Sequence, residues 1–351
     1  VSHLPTTAEA LYEDLHQKLQ DIVPAAELRH KADLAFQINQ LKKRRNAIIL
    51  GHNYMEPALY HSVPDFRGDS LELSRQAARA EADIIVFCGV RFMAETAKIL
   101  NPDKTVLVPS AKAGCSLAES ITAEDVRTLK KMYPGVPVVT YINTYADVKA
   151  ESDICCTSGN AAAIVASFKG ERVIFLPDQY LAGNVARETS KQIIFPVKTP
   201  VGFRHPDSNL EYALIGWQGR CEVHEKFNVE DIDNVRSQFP DVLILAHPEC
   251  SPEVTAAADF SGSTSAMIKY IRQSQAKRYL LLTECSMADN VAAENQDKEM
   301  LRLCSVRCPH MNEITLEATL KSLQLIQYRV EIPEETRLRA LRAVENMLAF
   351  G

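Results

Sequence analysis

The sequence predicts an α/β protein: three pseudo-threefold-related αβα domains with short parallel sheets, arranged around one shared centre. Three observations carry that expectation. Two stretches align without a gap at an offset of 106: Tyr141-Ile142-Asn143 on His247-Pro248-Glu249, Asp153 on Asp259, Ser158 on Thr264, and Asp178 on Glu284. A looser first copy runs through Gly51-His52-Asn53-Tyr54, an insert holding Gly68-Asp69-Ser70, then Ala82-Asp83 and a strand from Thr105 to Pro109. One cysteine follows each copy, namely Cys115, Cys221 and Cys308. Internal repetition fixes an architecture before any single motif is weighed. Here it makes the polar strand ends converge on one axis.

The elements follow from hydrophobic patterning. Residues 1–45 read as helices: Leu28, Leu34, Ile38 and Leu41 share one face, and Pro24 splits the region in two. The first αβα unit spans 46–112. Ala47-Ile48-Ile49-Leu50 is an unbroken apolar strand, and Leu71 to Ala80 an amphipathic helix capped by Asp69-Ser70. Ile84 to Phe87 is a second strand, and Phe92 to Leu100 a helix closed by Asn101-Pro102.

The second unit, 113–220, carries the strand Val136 to Thr140, a helix from Ala146, and the short strand Ile154-Cys155-Cys156. A helix from Ala161 to Phe168 and the strand Val173 to Leu176 close it. An insert at 189–214, holding Pro196, Pro200, His205, Pro206 and Asp207, reads as a surface loop or hairpin. The third unit, 221–312, repeats the order with Val242 to Ala246, Glu253 to Ala257, Ser265 to Arg272 and Tyr279 to Leu282. Residues 313–351 read as two helices, broken near Glu331-Ile332-Pro333, that pack back on the first unit. Short all-apolar strands between helices belong to parallel sheets covered on both faces. Ligands of such sheets bind beyond the carboxyl ends of the strands. His52, Tyr141, Asn143, His247 and Glu249 stand at those ends.

Composition narrows the function. The 351 residues are 46% hydrophobic, ample for cores in three units of about 80–110 residues. A formal charge of −6 and the lack of a basic stripe interleaved with aromatics argue against nucleic-acid binding. Lys42-Lys43-Arg44-Arg45 reads as a solvated helix end rather than a phosphate site. No apolar run reaches about 18 residues, so no membrane span is expected. The start, Val1-Ser2-His3, lacks both the apolar core of a signal peptide and an initiator Met, which implies a processed or trimmed chain. Nine scattered cysteines make a poor disulfide framework and point to thiol, metal or redox chemistry in a reducing compartment, the cytoplasm.

Cys115, Cys221 and Cys308, one per unit exit, can meet on the axis and hold three corners of a cuboidal iron–sulfur cluster. The fourth iron then stays open to substrate as a Lewis acid. No clustered CxxCxxC signature is present, so spacing alone does not select this over three unrelated buried thiols. Cys88, Cys155 and Cys156 lie on apolar strands and read as core. Cys250 and Cys285 follow strand-end acids and are placed to line a cavity without ligating. Cys304 is open between redox neighbour, alternative ligand and no role.

His52 and His247 end equivalent strands, where an imidazole serves as general acid/base or merely caps backbone. Their recurrence beside Tyr54, Tyr141, Asn143 and Glu249 favours a polar pocket, with Glu249 the best candidate proton shuttle. Ser158 and Thr264 sit in Thr157-Ser158-Gly159-Asn160 and Gly262-Ser263-Thr264-Ser265, each opening a helix. Such turns bind carboxylate or phosphate through free N–H groups, or they are plain caps. With Asp69-Ser70 they suit a multiply anionic small molecule. No GxxxxGK[ST] or GxGxxG turn supports a nucleotide.

At these residues the chain resembles the quinolinate synthase family, the A proteins of bacterial and plastid NAD biosynthesis. The likeness covers about residues 45–312. Its motifs include Gly51-His52-Asn53-Tyr54, Gly68-Asp69-Ser70-Leu71-Glu72, Arg91-Phe92-Met93-Ala94-Glu95-Thr96 and Cys115-Ser116-Leu117. Tyr141-Ile142-Asn143-Thr144, Trp217-Gln218-Gly219, His247-Pro248-Glu249, Gly262-Ser263-Thr264-Ser265 and Cys308-Pro309-His310-Met311 continue it. The resemblance implies three αβα domains around an oxygen-sensitive [4Fe-4S] cluster held by Cys115, Cys221 and Cys308. It implies condensation of iminoaspartate with dihydroxyacetone phosphate to quinolinate, with loss of phosphate and water. It also implies that His52, Ser70, Tyr141, Asn143, Ser158, His247, Glu249 and Thr264 bind substrate, with Tyr54 and Glu249 helping proton transfer. A transient contact with the enzyme that makes iminoaspartate is a further expectation.

Two features depart from the family. Some relatives carry CxxCxxC at the third ligand, whereas Cys304 and Cys308 are four apart here, and the 189–214 insert is extended. Two rival readings share the open iron: a [4Fe-4S] hydro-lyase of a hydroxy acid, and an iron- or redox-sensing cluster protein.

Overall fold

The computed structural model describes residues 5–169, 172–199, 202–206, 213–302 and 306–350. Cys304 and part of the 189–214 insert lie outside the described residues. The chain is α/β with several short parallel sheets, as the apolar strands between helices predict. It divides into two compact units, Val1–Ala113 with Ile268–Glu331, and Gly114–Met267 with Ile332–Gly351.

The first unit opens with α1 (Ala8–Leu19), capped by Thr7, and α2 (Ala25–Arg44), with Pro24 at the break. Leu11, Leu15 and Leu19 on α1 are buried, as are Leu28, Leu34 and Ile38 on α2. Then β1 (Ala47–His52), α3 (Pro57–Tyr60), β2 (Phe66–Gly68), α4 (Ser70–Ala78), β3 (Ile84–Cys88), α5 (Arg91–Leu100) and β4 (Thr105–Leu107) follow. The four strands form a parallel sheet in the order β2-β1-β3-β4, with Gly51 opposite Arg67 and Cys88. The central strands are almost wholly buried, which is why their sequences read as continuous apolar runs, and α5 is buried along nearly its whole length with Glu95 and Lys98 included.

The second unit begins with α6 (Ser116–Glu119), α7 (Ala123–Met132), β5 (Val138–Tyr141), α8 (Ala146–Ala150), β6 (Ile154–Cys156), α9 (Ala161–Ser167), β7 (Val173–Leu176) and α10 (Gln179–Glu188). The insert supplies β8 (Ile193–Ile194) and an antiparallel hairpin of β9 (Val197–Thr199) and β10 (Gly202–Arg204), before β11 (Leu214–Gly216). These strands make a sheet in the order β6-β5-β7-β11-β8, parallel throughout. The insert is therefore partly sheet rather than all surface loop. Its hairpin seats Phe203 edge-on to Trp217, ring centroids 5.5 Å apart, and Lys198 on Asp125 at 2.6 Å. Next come α11 (Val229–Gln238), β12 (Leu243–Ala246), α12 (Pro252–Ala257), β13 (Phe260–Ser261), parallel to β12, and α13 (Thr264–Gln273), inside which the division between units falls.

The chain returns to the first unit with β14 (Arg278–Leu282), α14 (Cys285–Glu294), β15 (Glu299–Leu301), parallel to β14, and α15 (Leu316–Leu325), which packs on α2 and β3. The last helix, α16 (Glu334–Ala349), differs from the expectation that both closing helices cover the first sheet. It packs on α8 and β6, where Arg339 meets Glu151 at 2.8 Å and Asn346 donates to the Asp153 carbonyl at 2.9 Å. Its buried stripe, Ala340, Ala343, Val344 and Met347, is small and apolar enough for close approach.

One device recurs in all three repeats. Asp153 accepts the Val138 N–H at 2.7 Å, and Asp259 accepts the Ile244 N–H at 2.8 Å. Asp65 accepts the Ile49 N–H at 2.8 Å, so Asp65 is the first copy's counterpart, which the sequence reading does not single out. Each aspartate also donates its own N–H to the carbonyl of the same strand residue, at 3.0, 2.8 and 2.8 Å. The pair of bonds pins the entry of each central strand and so the position of its polar far end.

Candidate functional site

In the second unit the strand ends deliver their polar residues to one buried cluster. Glu249 is 3% exposed. Its Oε1 accepts from Asn143 Nδ2 at 3.1 Å and its Oε2 lies 2.7 Å from His224 Nδ1. Tyr141 also hydrogen-bonds the carboxylate. Burial, the largest single influence, pushes the Glu249 carboxyl up, but His224, then His247 and the Tyr141 bond together outweigh it and hold it well below the usual carboxylate range.

The turn after β12 fixes the second histidine. His247 Nδ1 accepts the Glu249 N–H at 3.3 Å, so in the neutral ring Nε2 carries the proton. That nitrogen lies 3.4 Å from Ser158 Oγ. The rings of His224 and His247 stack, centroids 4.6 Å apart and 21° between planes. The two hydroxyl turns also meet: a Cβ placed on Gly159 would lie 3.5 Å from Ser263 Oγ. Ser263 Oγ caps α13 by accepting the Ala266 N–H at 3.3 Å, so the plain-cap reading of Thr264 is taken by its neighbour. Asn160, the residue before α9, makes no side-chain capping bond, and its Oδ1 accepts the Thr157 N–H within the turn at 2.7 Å.

His224 is the residue sequence reasoning missed. It stands three residues after Cys221, in a 3-10 turn over His224–Lys226, and its Nδ1 is 3.2 Å from Cys221 Sγ. The i, i+3 spacing of Cys221 and His224 is the signal that finds it. Cys221, His224 and Glu249 present a sulfur, a nitrogen and a carboxylate oxygen within 4.8 Å of one another, a donor set able to hold a metal ion. The Cys221 thiol is pushed well up by burial first, then by the Glu249 and Cys115 charges. Those are the surroundings a bound cation reverses. Asp178 lies in the same field. Burial and the Glu249 charge raise its carboxyl, one oxygen caps Leu181 at 2.6 Å, and Oδ2 has no hydrogen-bond partner among the described residues.

In the first unit, His52 and Tyr54 form the equivalent turn. His52 Nδ1 accepts the Tyr54 N–H at 3.2 Å, and the rings meet edge to face at 4.7 Å. The Tyr54 hydroxyl lies 2.6 Å from Thr283 Oγ1, just past β14. Ser70 is the first residue of α4, and again its neighbour Asp69 does the capping, accepting the Glu72 N–H at 3.0 Å. Cys308 follows Arg307, which donates to Ser286 Oγ at 2.9 Å. Burial lifts Glu284, the cap of α14, to about 7 against the pull of the Ser286 N–H and Arg307.

Exposure sorts the thiols. Of the eight described cysteines, Cys115, Cys221 and Cys308 are half-buried, and Cys88, Cys155, Cys156, Cys250 and Cys285 are buried. The core placement of Cys88, Cys155 and Cys156 agrees with their apolar strands. Cys115 and Cys221, both half-buried in the second unit, are soft donors, and the Cys221 thiol feels the Cys115 charge.

Comparison with known proteins points to one family. A family profile described as Quinolinate synthetase A protein matches residues 36–349. The chain is 51% identical over 335 residues to Quinolinate synthase 2 of Mesorhizobium japonicum, covering 95% of this chain and 97% of that protein. It is 51% identical over 334 residues to Quinolinate synthase of Agrobacterium fabrum, covering 95% and 90%. Against Quinolinate synthase of Caulobacter vibrioides it is 46% identical over 344 residues, covering 97% and 88%. No described helix is long and apolar enough to cross a membrane.

Proposed function

Since the chain belongs to the quinolinate synthetase A protein family, we propose that it is a quinolinate synthase of NAD biosynthesis, joining iminoaspartate to dihydroxyacetone phosphate with loss of phosphate and water. The observation that supports this best is the buried Asn143–Glu249–His224 set, a carboxylate between an amide donor and an imidazole. The reaction makes one C–C and one C–N bond, expels phosphate and water, and changes no net oxidation state. It therefore needs anion sites, proton relays and an electrophile rather than a hydride carrier.

Cys115, Cys221 and Cys308 are the residues we assign to a [4Fe-4S] cluster, which when bound supplies an open iron as Lewis acid. The chain's own residues do the rest. Glu249, kept ionised, takes a proton released on enolisation or imine closure and shares it with His224. His247 offers its Nε2 proton, and Tyr54 its hydroxyl, to developing oxyanions. Ser158, Thr264 and Ser70, with the N–H groups of their turns, hold the carboxylates and phosphate, while Tyr141, Asn143 and His52 orient the carbon skeleton. We place the reaction in the cytoplasm, where iminoaspartate would pass from the enzyme that forms it by brief contact.

Anaerobically prepared, cluster-loaded protein given iminoaspartate and dihydroxyacetone phosphate should release quinolinate and inorganic phosphate together. No quinolinate from loaded protein rejects the reading. Dehydration of a hydroxy acid without carbon–carbon bond formation would favour a hydro-lyase instead.

A further inference from the structure

At each strand end one buried side chain grips two carbonyls, that of the polar tripeptide's second residue and that of the residue just after the tripeptide. Asn290 Nδ2, on α14, donates to the carbonyls of Asn53 at 3.2 Å and Met55 at 2.9 Å. Asn184 Nδ2, on α10, donates to those of Pro248 at 2.8 Å and Cys250 at 2.9 Å. Lys149 Nζ, on α8, donates to those of Ile142, at 2.9 Å, and Thr144. The carbonyl pairs are equivalent in the three repeats, and Asn184 and Asn290 are themselves 106 apart. All three gripping side chains are buried, at 3%, 1% and 0% exposure. Lys149 occupies the position equivalent to Thr255, whose hydroxyl bonds Asn184 Oδ1 at 2.5 Å. In the second repeat a long amine reaches the loop directly, and in the third a short hydroxyl orients the asparagine that does so.

The grip has a chemical consequence. In a trans peptide the C=O and the N–H point to opposite sides. The carbonyl of Asn53 and the N–H of Tyr54 belong to one peptide, as do the carbonyl of Pro248 and the N–H of Glu249. Holding the carbonyl on the asparagine turns the N–H toward the preceding imidazole, at 3.2 Å from His52 Nδ1 and 3.3 Å from His247 Nδ1. A ring nitrogen that accepts there leaves the proton on Nε2.

We propose that Asn290, Asn184 and Lys149 are positioning residues that lock the three strand-end tripeptides, and that the two asparagines thereby set the tautomers of His52 and His247. The functional weight of those tautomers rests on the quinolinate synthase reading; the geometry does not.

The test uses full-length protein labelled with 15N-histidine, with His52→Gln and His247→Gln spectra assigning the two rings. Wild-type protein should show the Nε2–H tautomer at both. Asn290→Leu should mix the tautomers of His52 alone, and Asn184→Leu those of His247 alone. In cluster-loaded enzyme each should lower kcat roughly tenfold to a hundredfold, as small misplacements of catalytic groups do. KM for either substrate should stay within about twofold, because binding groups are retained. If a leucine variant fails to fold, Asn290→Asp and Thr255→Val replace it, the second loosening the Asn184 clamp while keeping its donor. Unchanged tautomers in folded variants overturn the proposal, whatever happens to kcat. Wild-type protein that makes no quinolinate would sink the proposed reaction, yet the spectra would still judge the clamps.

Discussion

Asn143 Nδ2 donates to Glu249 Oε1 at 3.1 Å, and the two residues occupy the same position of two repeats 106 apart. Equivalent residues of separate repeats touch only where their strand ends converge. Convergence therefore holds in the second unit, and a carboxylate sits at the meeting point. Glu249→Gln keeps the shape and the Asn143 contact but cannot take a proton. It should retain the iron content of the wild type and lose turnover by about a hundredfold or more. Quinolinate formation near the wild-type rate would remove Glu249 from the mechanism.

His224 Nδ1 lies 2.7 Å from Oε2 of that buried carboxylate. Removing one member of a buried pair leaves the other uncompensated. His224→Phe should lower stability by about 3–5 kcal/mol, measured by urea unfolding of cluster-free protein. A double variant with Glu249→Gln should recover part of this, and an equal loss in both would mean that the two side chains are not coupled.

The three half-buried cysteines separate from the five buried ones by exposure. Cys115→Ala, Cys221→Ala and Cys308→Ala should each abolish iron and sulfide binding on anaerobic reconstitution, whereas Cys88→Ala should bind both. Wild-type iron content in Cys221→Ala would dismiss the ligand assignment.

His61 gives the fold an acid sensitivity of its own. Burial, then the charges of Arg67 and Lys18, lower its pKa from 6.5 to about 3, and its Nε2 has no hydrogen-bond partner among the described residues. The unfolded chain takes up a proton below pH 6.5 that the folded chain refuses. The stabilisation is complete above that pH and drains away as pH falls toward 3. Between pH 7 and pH 4.5 this group should account for roughly 2–3 kcal/mol of lost stability. His61→Gln cannot charge, so its unfolding free energy should fall less over that interval; parallel pH profiles would exclude the histidine.

Much of this was legible because the repeat is exact between the second and third copies. Asp153 and Asp259, Ser158 and Thr264, and the two strand-end tripeptides all fall in equivalent places, and apolar runs mark every central strand. What escaped did so for physical reasons. Asp65 is hidden because the first copy spaces it 16 residues from Ile49, against 15 in the others. His224 shows in the sequence only as an i, i+3 spacing from Cys221, whose meaning depends on the turn that brings it beside Glu249. Asn184 and Asn290 look like ordinary polar residues on helices, because their partners are backbone carbonyls, which no side-chain pattern reports. The placement of α16 was missed since a small apolar stripe fits many surfaces. It took Arg339 and Asn346 reaching Glu151 and Asp153 to choose one.

The sorting of sulfur by depth has a practical consequence. Burial raises the Cys88 and Cys155 thiols to about 12 and Cys156 further, so these carry almost no thiolate near neutrality and are shielded from solvent. A bulky alkylating reagent added to the folded chain should spare them, and oxidants should follow the same routes. Air damage would then fall first on half-buried sulfurs such as those we propose as iron ligands, and a labelling count on intact protein becomes a gauge of how many of those are occupied.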